Sequence, residues 1–106
     1  MLHSKTIVID IDGVIMESEG LDYESAKPIQ DNIDIINKLK DGGAKIVLFT
    51  ARGYKTGVDW KFVTQLQLVR FGVKYDRLMF GKPAADYYID DKMITLKGLA
   101  EKYYLR

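Results

Sequence analysis

The stretch Thr6-Ile7-Val8-Ile9-Asp10-Ile11-Asp12-Gly13 constrains this chain more than any other. β-Branched residues run, without helical spacing, into two carboxylates and a glycine. The pattern predicts a strand buried on both faces. Asp10 and Asp12 stand two apart, which in an extended chain sends both side chains the same way. Two such carboxylates repel unless a cation or a proton lies between them. Gly13 lets a ligand approach the backbone where a Cβ would block it. Taken alone, the stretch equally suits a strand followed by an acidic turn, so the rest of the chain has to decide.

A chain of 106 residues has room for one domain with one modest core, and the expectation is a single domain over residues 1–106. The net charge of +1 argues against a strongly electrostatic nucleic-acid or membrane partner. Cysteine is absent, which excludes disulfides and thiolate chemistry. His3 is the one histidine, near the start of the chain, so a Ser-His triad or a histidine-built zinc site is a poor fit. A metal site would use oxygen ligands, which suits magnesium or calcium. Neither a signal peptide nor an apolar run long enough to span a bilayer is evident, and a cytoplasmic location is the expectation.

Residues Val14 to Lys27 are polar and acidic without a clear period, and read as a loop or small hairpin too short to hold an inserted domain. Pro28 suits the opening of a helix whose apolar face is Ile29, Ile33, Ile36 and Leu39, with Gly42 and Gly43 as its stop. Ala44 to Thr50 reads as a second buried strand that runs into Ala51, Arg52 and Gly53. A second helix is predicted from about Trp60 to Phe71, with Phe62, Val63, Leu66 and Val69 inward. Leu78 to Phe80 reads as a third strand delivering Gly81, Lys82 and Pro83, and Tyr87 to Ile89 as a fourth ending in Asp90 and Asp91. Thr95 suits the cap of a last helix with Leu96, Leu99, Ala100 and Tyr103 on its apolar face. The order predicts an α/β fold, a three-layer Rossmann-like sandwich around a small, mostly parallel sheet.

Each predicted strand is followed at its carboxyl end by polar groups: Asp10 and Asp12, Thr50 and Arg52, Lys82, and Asp90 and Asp91. In open parallel sheets the ligand crevice lies at those ends. Four carboxylates together need compensating charge, which a divalent cation and Lys82 supply. Thr50 offers a hydroxyl, and Gly13 and Gly53 offer accessible amides. Such a site suits a phosphoryl group: cations for its charge, donors for its oxygens, a carboxylate to attack it. Singly, Thr50 is an ordinary strand-end threonine and Lys82 a solvated loop lysine. Arg52 could equally pair with a surface acid, and Asp59 and Trp60 read as cap and anchor of the second helix. The functional reading rests on the joint pattern.

These residues resemble the haloacid dehalogenase (HAD) superfamily of phosphohydrolases. The resemblance lies in Asp10-Ile11-Asp12-Gly13, in Thr50 and Lys82, and in the paired acids Asp90-Asp91, in that order over nearly the whole chain. Details such as Thr50-Ala51-Arg52-Gly53, Gly81-Lys82-Pro83 and Tyr88-Ile89-Asp90-Asp91-Lys92 look like the small capless phosphatases of capsule and surface-polysaccharide biosynthesis. The resemblance implies that Asp10 attacks phosphorus and that Asp12 serves the leaving oxygen and then the water. It implies that Thr50 and Lys82 hold the phosphoryl group, with Gly13, Ala51 and Arg52 near the substrate. Magnesium would sit among Asp10, the Asp12 carbonyl, Asp90 and Asp91. Val14 departs from the Thr often found after the first motif, and the chain leaves no room for a cap domain.

The resulting expectation is a magnesium-dependent phosphatase acting on a small phosphate monoester, a sugar phosphate in the narrower reading, with a homo-oligomer covering the site. The alternatives are a polynucleotide-end phosphatase or phosphotransferase of the same superfamily, or a non-catalytic phosphate-binding module. Receiver domains also gather acids, Thr and Lys at strand ends, but their paired acids follow the first strand, unlike Asp90-Asp91 here.

Overall fold

A computed structural model of the chain describes residues 2–104. Three strands form a parallel sheet: β1 (Thr6–Asp10), β4 (Lys45–Thr50) and β5 (Arg77–Phe80), in the order β1-β4-β5. In register, Thr6 faces Lys45 and Asp10 faces Phe49, while Val47 faces Arg77 and Thr50 faces Phe80. The carboxyl ends of all three strands therefore lie at one edge, as the strand-end argument requires. Between β1 and β4 come a short antiparallel hairpin, β2 (Met16–Glu17) with β3 (Lys27–Pro28), and helix α1 (Gln30–Asp41). Helix α2 (Lys61–Arg70) links β4 to β5, and α3 (Leu96–Lys102) follows β5. Among the described residues the architecture is α/β, with a three-stranded parallel sheet and three α-helices, consistent with a Rossmann-like fold.

The core is built where periodicity placed it in α1 and β4. Ile33, Ile36 and Leu39 of α1 are fully buried against Ile46 and Leu48 of the central strand. Burying each such aliphatic side chain contributes about 1.5–3 kcal/mol. Asp31 in the first turn and Lys38 and Lys40 in the last complement the α1 dipole. The helix stops at Gly42, followed by Gly43 at φ 106°, a conformation glycine adopts without the Cβ penalty. The Thr95 hydroxyl accepts the Gly98 amide and caps α3, while Leu96, Leu99, Ala100 and Tyr103 turn inward.

Three expectations about these elements fail. Pro28 does not open α1; it pairs with Met16 in the hairpin, and the helix begins at Gln30. The loop or small hairpin expected over Val14 to Lys27 is a hairpin, and Ile15, Met16 and Ala26 are buried in the core. Residues Tyr87 to Ile89 form no strand, and Ile89 is 98% exposed. Among the described strands β1 is then an edge, so Val8 is 60% exposed and only Ile7 and Ile9 pack inward. A strand covered on one side alternates rather than being buried on both.

The inward face of α2 is also different. Phe62, Leu66 and Val69 are exposed, with Phe62 at 71%, while Thr64, Gln67 and Leu68 are buried. The helix is rotated so that Thr64 and Gln67 meet the buried Arg52 guanidinium. A buried guanidinium needs acceptors for its N–H groups, and Thr64 and Gln67 supply two to Nη1 that an apolar helix face would not.

Candidate functional site

The site is assembled at the carboxyl edge of the sheet. Asp10 ends β1, and its carboxylate accepts the Ile11 amide at 2.9 Å, which turns the chain sharply after the strand. The Lys82 ammonium, two residues past β5, lies 3.2 Å from the other Asp10 oxygen. The same ammonium stands 4.3 Å from the Tyr88 ring centroid. Lys82 is thus held between a carboxylate and a π face, and its amide donates to the Thr50 carbonyl at 3.2 Å. Asp10, Ala51, Lys55, Lys82, Asp86 and Tyr88 line an open cleft of about 350 Å³.

Asp12 is held differently. Arg52, only 3% exposed, grips both its oxygens: Nη2 lies 2.8 Å from Oδ1 and Nε 3.0 Å from Oδ2. Nη1 donates to Thr64 Oγ1 at 3.0 Å and to Gln67 Oε1 at 2.7 Å, and Nη2 also meets Met16 Sδ at 3.2 Å. The guanidinium lies 4.6 Å from the centroid of the Tyr23 ring. Among the described residues, no buried side-chain polar atom lacks a hydrogen-bond partner. Burial, then the nearby Asp12 charge, push the Tyr23 phenol above its ordinary value, while Arg52 pulls the other way.

The structure therefore brings together Asp10 with Lys82, and Asp12 with Arg52 and Thr50. Thr50 is fully buried; its hydroxyl accepts the Arg52 amide at 3.1 Å and lies 3.5 Å from Asp12 Oδ2. The Gly13 amide is not free, as expected from sequence, but donates to the Met16 carbonyl at 2.8 Å. Asp90 and Asp91 are exposed, in a turn closed by the Lys92 amide on Asp90 Oδ1 at 2.8 Å. That amide, and a hydrogen bond with Asp91, hold the Asp90 carboxyl below its ordinary value. Among the described residues no three acidic or histidine side chains are grouped to hold a metal ion. Asp59 accepts the Lys61 amide at the start of α2, the capping part read from sequence.

Sequence reasoning missed Tyr23, Thr64 and Gln67. Tyr23 was hidden in an acidic stretch, and Thr64 and Gln67 interrupt the apolar period of α2. That interruption was the available signal. Chemically, a carboxylate beside an ammonium in an open cleft, with a second carboxylate fixed by a guanidinium, can receive an anionic electrophile and manage a proton next to it.

The sequence matches no protein-family profile and no curated protein. Among solved structures, a structural-genomics target from Vibrio cholerae superposes with a TM-score of 0.82 at 26% identity, over 95% of each chain. A chain of the Pnkp1/Rnl/Hen1 complex superposes at TM-score 0.62 and 18% identity, over 84% of this chain and 31% of that one. A chain of the Pnkp1/Rnl/Hen1 RNA repair complex gives 0.59 and 19%, over 92% and 32%. The last two likenesses concern the fold alone.

Proposed function

We propose that this chain is a phosphatase of the haloacid dehalogenase type that hydrolyses a phosphate monoester through an aspartyl-phosphate. The observation that carries the proposal is the placement of Asp10 at the end of β1, 3.2 Å from Lys82, at the mouth of an open cleft. In this reading a phosphoryl group enters the cleft and takes over Lys82, which frees the Asp10 carboxylate to attack. The Asp10 Oδ–P bond forms as the ester P–O bond breaks, and Asp12, which enters this step protonated, gives its proton to the leaving oxygen. Water then attacks phosphorus as the now ionised Asp12 takes its proton, the Asp10 Oδ–P bond breaks, and inorganic phosphate leaves with Asp10 ionised and Asp12 protonated again. Arg52 orients Asp12 in its ionised form, the form that takes the proton of the water.

Magnesium belongs to the proposal because an anionic nucleophile must approach an anionic ester, and a bound cation lowers that repulsion. As arranged, the acids do not form a cage for it: Asp10 is paired with Lys82, Asp12 with Arg52, and Asp90 is turned toward Lys92. No step is therefore routed through the ion. A sugar phosphate of surface-polysaccharide biosynthesis is the narrower substrate reading, on the motifs Thr50-Ala51-Arg52-Gly53 and Gly81-Lys82-Pro83.

The test is a phosphate-release assay with purified protein and magnesium on a panel of phosphate esters, beside the Asp10→Asn variant. Turnover by the native chain and loss of about 10³-fold or more in the variant is the expected result. Asn is nearly isosteric, and the Asp10–Lys82 pair is partly exposed, so folding should change by no more than about 1 kcal/mol. Substantial activity in a folded Asp10→Asn protein rules out the covalent mechanism.

A further inference from the structure

Beside the charged cleft lies a second one of about 250 Å³, lined by Leu21, Tyr23, Gly53, Val58 and Trp60 among others. The two clefts share Ala51, Lys55 and Ala84, so they are two compartments of one groove. Their chemistry differs. The first carries Asp10, Lys82 and Asp86; the second is walled mostly by aliphatic and aromatic side chains, with Lys55 and Thr56 beside them.

The walls of the second compartment are built rather than loose. The Tyr23 ring meets Trp60 edge-on, with centroids 5.0 Å apart at 89°, and takes Arg52 on its face. Its backbone carbonyl accepts Gln67 Nε2 at 2.6 Å, which ties the tip of the β2–β3 hairpin to α2. Opposite it, the turn after β4 is closed by the Gly57 amide on the Gly53 carbonyl at 2.8 Å. That turn is packed so closely that a Cβ on Gly53 would clash with the Val58 carbonyl oxygen. A preformed apolar slot opening beside a polar, charge-bearing one is the usual form of a small-molecule site.

We propose that this slot is the subsite for the organic half of the phosphate ester, and that it selects substrates presenting an apolar ring face. The inference rests on the phosphatase reading for the position of the phosphate. A ring seated between Val58, Leu21 and Trp60 leaves its phosphate in the adjoining compartment with Asp10 and Lys82. A compact ester without a ring leaves the apolar walls in water and gains nothing from them.

Trp60 is the single tryptophan of the chain, so its fluorescence reports the slot without any turnover. The experiment titrates the whole protein, in magnesium buffer, with the non-hydrolysable ligands phenylphosphonate, cyclohexylphosphonate and methylphosphonate. The expected result is a Kd for at least one ring ligand tenfold or more below that of methylphosphonate. The preference should fall below threefold when exposed Leu21 and Val58 are both changed to Ser. Phenyl tighter than cyclohexyl identifies a flat aromatic source, and equal binding of the two rings identifies plain apolar area, as a pyranose face offers. Equal affinity for ring ligands and methylphosphonate, no binding of either ring ligand, or a preference untouched by the double substitution overturns the subsite. Phosphate release from simple esters tests the phosphatase reading separately, so the two can fail independently.

Discussion

Arg52 and Asp12, forty positions apart in sequence, form a two-pronged pair with contacts of 2.8 and 3.0 Å at the carboxyl edge of the sheet. The Arg52 side chain is wholly buried and that of Asp12 is 29% exposed, so the arginine is structural on one side and faces the site on the other. A planar fork can fix both carboxylate oxygens at once, which an ammonium cannot.

Replacing Arg52 therefore separates stability from chemistry. Arg52→Ala leaves Thr64 and Gln67 facing an empty polar hole and should destabilise the fold by about 3–5 kcal/mol, measured by urea unfolding. Arg52→Lys retains charge but loses the fork. On the phosphatase reading its kcat should fall about 10²-fold with little change in KM, since a misoriented Asp12 costs rate rather than binding. A Lys variant with native kcat would show that Asp12 needs no such support.

Dependence on a divalent cation is checked by chelation. Exhaustive EDTA treatment should abolish phosphate release, and magnesium should restore it, with calcium a poor substitute because its coordination is looser. Full activity after chelation would remove the ion from the proposal.

Acid sensitivity centres on Asp76. Its carboxylate accepts Lys40 Nζ at 2.9 Å and the Ile46 amide at 2.7 Å, tying the start of β5 to α1 and β4. The Lys40 hydrogen bond first, and then the Ile46 amide, hold its carboxyl below the ordinary value. A depressed folded-state pKa contributes stability above the unfolded value, and that contribution disappears as pH falls through the folded one. The Tm difference between the native chain and Asp76→Asn should accordingly be present at neutral pH and vanish below the ordinary carboxylate range. A difference independent of pH would mean that shape, not charge, makes the contribution.

The turn after β4 should tolerate no side chain at Gly53. Its φ of 80° disfavours any other residue, and an added Cβ meets the Val58 backbone oxygen. Gly53→Ala should cost about 2 kcal/mol, seen as a lower Tm by calorimetry. Gly57→Ala, also at positive φ but with open space around it, is the matched control and should cost less.

The sequence alone determined the elements whose signals are local. The apolar period of Ile33, Ile36 and Leu39 determined the buried face of α1, and the run Ile46-Val47-Leu48 the central strand. The Thr95 cap was legible, and so was the placement of Asp10, Thr50 and Lys82 at or just beyond strand ends, because strand, turn and cap preferences act over a few residues. Tertiary structure decided what depends on partners distant along the chain. Whether Tyr87 to Ile89 joins the sheet depends on pairing with another strand, and no local pattern encodes that. The face that α2 turns inward was decided by Arg52, whose buried charge required Thr64 and Gln67 and left Phe62 outside. A periodicity argument counts apolar area, but a buried guanidinium also needs acceptors for its N–H groups, and only the folded chain shows where that guanidinium lies.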